Sequence, residues 1–307
     1  MAAKVSRLKI GITLTVAISL AIVLLAPSPV VPATAAEVGT GGVPLLVQDF
    51  SSVPPRVVEG AAELAAELFG DDRQKSDNFI SQLLATYLAA RDKDVVVIFN
   101  SGGFGWTPIE DSPQGQGFVA GIESVLNGSG YSVLLLEHFR TAETLNGGLS
   151  EFMAEAGLYP PKAKDLALRV EFLTDHIPGI SVILTGLSNG SAICESVMSI
   201  LKGNRQVYSI QLGPSFWNDS PVSDRSLVMR GNGMGPDSFS QGDLFTIIRA
   251  NLEALFGISQ DNPGHILLYI GAPGHDYRWE YEAVRSRITD FLNKHWPPKT
   301  RLGEIIA

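Results

Sequence analysis

The sequence predicts an α/β fold, a three-layer α/β/α sandwich around a mostly parallel central sheet of about six strands. From residue 94 onward, short apolar runs alternate with longer segments in which apolar residues recur at helical spacing. The short runs are apolar throughout rather than at every second position, which is typical of strands covered on both faces. Strands that alternate with helices form right-handed βαβ units, and such units build a parallel sheet.

The predicted elements follow one another along the chain, with one longer excursion at residues 141–159. The predicted strands are residues 95–99, 131–136, 181–184, 207–212, 226–229 and 265–270. The predicted helices are residues 57–68, 78–90, 116–126, 161–175, 191–201, 244–256 and 281–296. In a parallel sheet of this kind the functional site lies beyond the carboxyl ends of the strands.

The first 36 residues are typical of an export signal. Three basic residues come first, residues 10–26 carry no charge, and residues 33–35 read Ala-Thr-Ala, the small-x-small pattern of a cleavage site. The uncharged run is long for a signal peptide and short for a spanning helix, which needs ~20 residues. Cleavage, and retention as an anchor with membrane association through residues 10–26, are therefore both open. Either outcome predicts an extracytoplasmic protein, secreted or anchored.

After the export segment, we expect an N-terminal helical segment at 37–93 packed on the core, the α/β domain at 94–297, and a tail at 298–307.

The composition of the chain limits the classes of partner, disulfide and cofactor that it can have. The formal net charge of −9 argues against a nucleic-acid partner, because phosphate binding needs a basic surface. Cys194 is the only cysteine, which excludes an internal disulfide and favours a small buried side chain. No sequence motif for a metal or an organic cofactor is present, so none is expected.

One motif carries the chemistry. Residues 186–190 read Gly-Leu-Ser-Asn-Gly, directly after a predicted strand and directly before a predicted helix. This is the G-x-S-x-G nucleophile elbow, in which Ser188 sits on a sharp strand-to-helix turn. Small residues are needed on either side because the strand and the helix nearly collide there. A glycine-rich turn without catalysis is the competing interpretation.

With this motif, residues 94–297 resemble the α/β-hydrolase family. The resemblance implies a triad in the order Ser, acid, His, and His275 lies where that order requires it, between the last strand and the last helix. The acid is Asp237, by its spacing behind the preceding strand, or alternatively Asp243. Asp243 directly precedes a helical run, where it suits a helix cap. His138 is another histidine that could face the site mouth.

The resemblance also implies an oxyanion hole. One donor is the backbone amide of Asn189, at the start of the helix after Ser188. The second comes from the loop after the first core strand, where Gly103 or Phe104 is the candidate. The short segment between residues 212 and 226 leaves room for little or no lid. The site is therefore expected to be shaped by Phe216, Trp217, Trp106 and the excursion at residues 141–159. The family's first two strands are missing, and helices at 57–90 replace them.

These observations predict an exported serine hydrolase that cleaves an ester-like acyl bond through an acyl-enzyme intermediate. Its substrate is a small-molecule or lipid acyl compound. Two alternatives remain: a protein of another class, a non-catalytic binding protein that kept the fold, and a membrane-anchored hydrolase that processes lipid or envelope material.

Overall fold

The computed structural model describes residues 49–103, 105–140, 160–217, 223–255 and 272–299. Within them, five strands form one parallel sheet in the order β2-β1-β3-β4-β5. The strands are Val95–Asn100 (β1), Val133–Glu137 (β2), Ser181–Leu187 (β3), Val207–Leu212 (β4) and Ser226–Met229 (β5). The predicted α/β class, with helices on both faces of a parallel sheet, is confirmed. The predicted sixth strand, residues 265–270, lies outside the described residues.

Helices flank these strands, and the side-chain caps explain where two of them begin. The described helices are Pro55–Phe69 (α1), Arg73–Ala90 (α2), Pro113–Gly128 (α3), Pro160–His176 (α4), Asn189–Ile200 (α5), Ser238–Gln241 (α6), Leu244–Leu255 (α7) and Glu282–His295 (α8). The Asp72 carboxylate accepts from the Lys75 amide at 3.2 Å, and Ser112 Oγ accepts from the Gly115 amide at 3.1 Å. Such caps satisfy first-turn amides, so α2 and α3 begin earlier than the apolar periodicity predicted.

Alternate side chains of β1 enter two separate cores. Val96 and Ile98 belong to the core formed with α1, α2, α4 and α5. Val95, Val97 and Phe99 belong to the core on the opposite face, with α3 and α8. Successive side chains of a strand point to opposite faces, so a strand buried on both sides must be apolar at every position. This is the physical origin of the unbroken apolar runs in the sequence.

The sheet order places a switch point between β1 and β3. The chain moves to one side of β1 to form β2, and then crosses to the other side to form β3, β4 and β5. Asn100 at the end of β1 pairs in register with Gly186 near the end of β3. The loop after β1 and the turn after β3 therefore meet at the carboxyl edge, where parallel sheets hold their ligands.

The described helices include none long and apolar enough to cross a membrane. The predicted export segment, residues 1–36, lies outside the described residues. The two N-terminal helices, α1 and α2, pack against each other and against α4 as part of the first core.

Candidate active site

Ser188 occupies a sharp turn between β3 and α5. Its φ of 50° and ψ of −117° make it the one non-glycine residue with positive φ in the part of the chain that the structure describes. A side chain in this region is strained, and the surrounding packing must hold it there. The strand-turn-helix setting is the one that a nucleophile elbow requires.

The two glycines of the motif are needed for steric reasons. A Cβ on Gly186 would lie 2.3 Å from the carbonyl carbon of Gly190. A Cβ on Gly190 would lie 2.1 Å from the carbonyl oxygen of Asn100, at the end of β1. Both obstacles are backbone atoms, which cannot swing aside as a side chain can. The motif therefore encodes the close approach of α5 to the ends of β1 and β3.

Two loops beyond the sheet bring His275 to Asp237. The backbone amide and the hydroxyl of Ser238 both donate to the carbonyl of Pro273, at 3.0 and 2.9 Å, which joins the two loops. His275 Nδ1 then lies 3.0 Å from Asp237 Oδ2 and 3.1 Å from Asp237 Oδ1. The Asp237 side chain is completely buried, and that of His275 is partly exposed.

The Asp237 carboxylate is surrounded by donors. Its Oδ1 accepts from the amides of Phe239 and Ser240, each at 3.0 Å, and its Oδ2 accepts from the Tyr277 hydroxyl at 2.6 Å. Burial alone would raise the pKa of Asp237, but the hydrogen bond and charge of His275, with the other hydrogen bonds, hold that pKa below its ordinary value. Asp237 is therefore ionised near neutral pH, as a partner for an imidazolium must be.

Asp243 lies at the start of α7, where it caps the helix. It is exposed, and its carboxylate accepts from the Thr246 amide at 3.1 Å and from the Thr246 hydroxyl at 2.7 Å. These are the contacts of a cap on the first turn of α7. Of the two candidate acids, Asp237 is the one that the structure places at His275.

Ser188 and His275 both lie at the end of β4. The Ser188 amide donates to the carbonyl of Leu212, the last residue of that strand, at 2.8 Å. The next residue, Gly213, has a φ of 60°, and a Cβ there would lie 2.6 Å from His275 Cε1. The candidate nucleophile and the candidate base therefore lie against two consecutive residues of the chain.

The loop after β1 passes beside Ser188. A Cβ on Gly102 would lie 3.5 Å from the Ser188 Cβ. The Gly103 carbonyl accepts from the Asn189 side chain at 3.3 Å, which links the two predicted oxyanion segments. Phe104, the other candidate donor of this loop, lies outside the described residues.

Arg140 binds the backbone of that loop, a role that the sequence did not predict. The residue is 2% exposed, and its Nη1 and Nη2 donate to the carbonyls of Ser101 at 2.6 Å and Gly103 at 3.2 Å. A Cβ on Gly105 would lie 2.6 Å from the guanidinium carbon. The only sequence signal was the position of Arg140, just after β2, at the carboxyl edge of the sheet.

His138 is buried rather than at the site mouth. It is 6% exposed, and its Nδ1 lies 2.8 Å from Asn100 Oδ1. Burial, with the positive charge of Arg140 second, lowers the pKa of His138 to about 3, so the ring is neutral. The Asn100 amide nitrogen also lies 3.5 Å from the buried thiol of Cys194, whose pKa burial raises to about 12. That thiol is not a nucleophile at neutral pH.

A row of aromatic rings leads to His275. The ring of Phe216 lies 4.7 Å from that of Trp217, which lies 5.7 Å from Phe239, which in turn lies 4.8 Å from His275, all between centroids. The side chains of Phe216, Trp217 and Phe239 are partly exposed. In the described residues, His, Cys, Asp and Glu side chains form no cluster of three or more that could hold a metal ion.

Comparison with known proteins adds little beyond this geometry. No protein-family model matches the chain. No curated protein sequence matches it either. Among solved structures, it is similar to a Trichoderma reesei cutinase in complex with a C11Y4 phosphonate inhibitor, at 14% identity and a TM-score of 0.36, over 58% of this chain and 77% of the cutinase. Similarity at that level bears on neither substrate nor mechanism, so the function is argued from the site.

Proposed function

We propose that the protein is an extracytoplasmic serine hydrolase that cleaves an ester-like acyl bond, with Ser188, His275 and Asp237 as its triad. The observation that carries this proposal is the buried Asp237 carboxylate, 3.0 Å from His275 Nδ1, together with a serine held in a strained elbow. An ionised acid, a histidine and a serine at one sheet edge are the parts needed for acyl transfer.

The proposed reaction has two halves. In the first, His275 Nε2 takes the proton of Ser188 Oγ while Oγ bonds to the acyl carbon, and the proton then passes to the leaving alcohol as the ester bond breaks. In the second, His275 takes a proton from water, the hydroxide oxygen bonds to the acyl carbon, and Ser188 Oγ leaves with the proton. The amides of Asn189 and of Gly103 or Phe104 are the proposed donors to the oxyanion.

The role of Asp237 in this scheme is electrostatic. Its carboxylate accepts from the Nδ1–H of His275, which leaves Nε2 free of a proton and able to act as a base. It also stabilises the imidazolium that forms when the Ser188 proton is taken. The buried hydrogen bonds that lower the pKa of Asp237 keep it ionised for both tasks.

A fluorophosphonate probe tests the proposal. It reacts with an activated serine and not with an ordinary one, so the wild-type protein should be labelled and Ser188→Ala should not. Hydrolysis of p-nitrophenyl esters should fall by roughly 10³-fold or more in that variant. A series of acyl chain lengths then defines the substrate.

The matched control is Ser196→Ala. Ser196 lies on α5, the helix that begins directly after Ser188. Its hydroxyl donates to the Ala192 carbonyl at 3.0 Å. It should keep both labelling and hydrolysis. A wild-type protein that binds esters but is never labelled would instead favour the non-catalytic binding protein.

The export proposal has its own test. Residues 1–36 carry the basic, apolar and small-residue pattern of a signal, so fractionation should find the protein outside the cytoplasm or on the membrane. N-terminal sequencing that begins near residue 36 would establish cleavage. A full-length product in the cytosol would contradict the proposal.

A second candidate function is an anchored hydrolase that acts on lipid. The observation in its favour is the surface of α7, where Phe245, Ile248 and Leu252 are 76%, 40% and 49% exposed at a spacing that puts them on one helix face. Esters presented in lipid vesicles should then be hydrolysed faster than the same esters in solution. Phe245→Gln with Leu252→Gln should remove that preference and leave the rate on soluble esters unchanged.

A further inference from the structure

Tyr277 makes the shortest contact of the Asp237 carboxylate. Its hydroxyl donates to Asp237 Oδ2 at 2.6 Å, and the residue is 1% exposed. The same oxygen lies 3.0 Å from His275 Nδ1. Two donors, a phenol and an imidazole, therefore share one carboxylate oxygen in a buried site.

The packing of Tyr277 leaves its hydroxyl little freedom. Its ring belongs to the core on the α3 and α8 face of the sheet, and a Cβ on Gly213 would lie 2.8 Å from its edge. Its backbone amide donates to the Gln114 side chain at 3.2 Å. The ring stands at 90° to that of His275, with centroids 6.0 Å apart. The Tyr277 hydroxyl is thus held in position by contacts of the residue's backbone and of its ring.

In the part of the chain that the structure describes, few charged or titratable groups surround this contact. His275 and Asp237 face Tyr277 directly, and the charge of Arg230 also reaches its hydroxyl. Asp276, the neighbour in sequence, is bound instead by Asn232, Tyr281 and Arg278. Burial, followed by the Asp237 contact, raises the pKa of Tyr277 well above its ordinary value, so the hydroxyl keeps its proton and stays a donor.

We propose that Tyr277 is a positioning residue of this hydrolase: its hydroxyl holds Asp237 Oδ2 in place against His275 and sets the pH at which the Asp–His pair becomes an active base. The proposal rests on the proposed function. A hydrogen bond to a carboxylate stabilises its charge and lowers its affinity for a proton. Without it, the pair binds a proton more tightly, so the active, deprotonated form is reached only at higher pH.

The test is the pH profile of kcat/KM for Tyr277→Phe on a p-nitrophenyl ester. This substitution removes one oxygen and keeps the ring. We expect the acid limb to move to higher pH by about one unit and kcat at neutral pH to fall roughly tenfold, with KM nearly unchanged. A loss of folding alone would lower the amount of active enzyme without moving the limb.

Tyr281→Phe is the matched control. It removes a tyrosine hydroxyl from the adjoining part of the chain, but one that donates to Asp276 rather than to Asp237. Its profile should coincide with that of the wild type. An unmoved acid limb in Tyr277→Phe, or an equal movement in Tyr281→Phe, would overturn the proposal.

Two further measurements keep the outcomes separate. Fluorophosphonate labelling of the wild type tests the proposed function first, and its failure would remove the basis of this inference as well. If Tyr277→Phe and Tyr281→Phe are both labelled but the acid limb of Tyr277→Phe has not moved, the role of Tyr277 is overturned and the proposed function is not. If Tyr277→Phe does not fold, 3-fluorotyrosine at position 277 provides a stronger donor, and the acid limb should move to lower pH; an unmoved limb there would also overturn the role.

Discussion

At the scale of single residues, Asp237 and Asp243 show how a local contact separates two similar side chains. Both cap the first turn of a helix, because Asp237 accepts from the Ser240 amide and Asp243 from the Thr246 amide. Only Asp237 is also buried against His275. Sequence spacing favoured the same residue, although a capping aspartate and a catalytic one look alike in sequence.

Substitution of the two aspartates should have opposite effects. We expect Asp237→Asn to lower kcat by roughly 10³-fold or more, because the amide cannot hold the productive imidazole tautomer or stabilise the imidazolium. Asp243→Asn should cost at most about 1 kcal/mol of stability and leave kcat near normal. Ester kinetics and thermal unfolding of both variants check this. Loss of activity in Asp243→Asn with a normal Asp237→Asn would reverse the assignment.

The elbow glycines make a second prediction at this scale. In Gly190→Ala the new methyl group would meet the Asn100 carbonyl oxygen, a backbone atom of a central strand. We expect a loss of about 3 kcal/mol or more in the free energy of unfolding, measured in urea. Gly128→Ala, at the open end of α3 where nothing lies within 4 Å, should be neutral or slightly stabilising. Equal effects of the two substitutions would contradict the steric argument.

At the scale of elements, Arg140 connects the end of β2 to the loop after β1. Its guanidinium binds the carbonyls of Ser101 and Gly103, on a loop that also runs beside Ser188. The element pair therefore supplies the rigidity that a proposed oxyanion donor needs.

Substitution of Arg140 should affect turnover more than binding. In Arg140→Lys the charge remains but the forked contact to two carbonyls is lost. We expect kcat to fall by roughly tenfold or more with KM changed less than about threefold, since the oxyanion forms only in the transition state. Steady-state kinetics on a p-nitrophenyl ester check this. A change confined to KM would mean that the loop only binds substrate.

At the scale of the whole molecule, the buried His138 couples folding to pH. Its pKa is about 3 in the folded protein, against about 6.5 in an unfolded chain. Between these values unfolding takes up a proton, so the free energy of unfolding falls as the pH drops from about 6.5 toward 3, by up to about 1.4 kcal/mol per unit. His138→Gln should flatten the profile between pH 6.5 and 4.5, as urea unfolding would show. An unchanged slope would place the acid sensitivity in other groups.

The overall architecture could be predicted because its determinants are local. The alternation of apolar runs and helical segments follows from burial on both faces of β1 and its neighbours. The G-x-S-x-G pattern follows from steric contacts among Gly186, Gly190 and the end of β1. The observed boundaries of α2 and α3 differed from the predicted ones because a polar side chain capped each helix before the apolar pattern began.

The sequence by itself thus determined the fold class, the elbow around Ser188 and the loop that carries His275. Only the tertiary structure decided which aspartate reaches His275, and it alone revealed Tyr277 and Arg140. The physical reason is range: periodicity and backbone sterics act between near neighbours in the chain, whereas the His275–Asp237 contact joins residues 38 positions apart. Such a contact depends on how two loops pack at the edge of the sheet, and that packing is a property of the assembled fold.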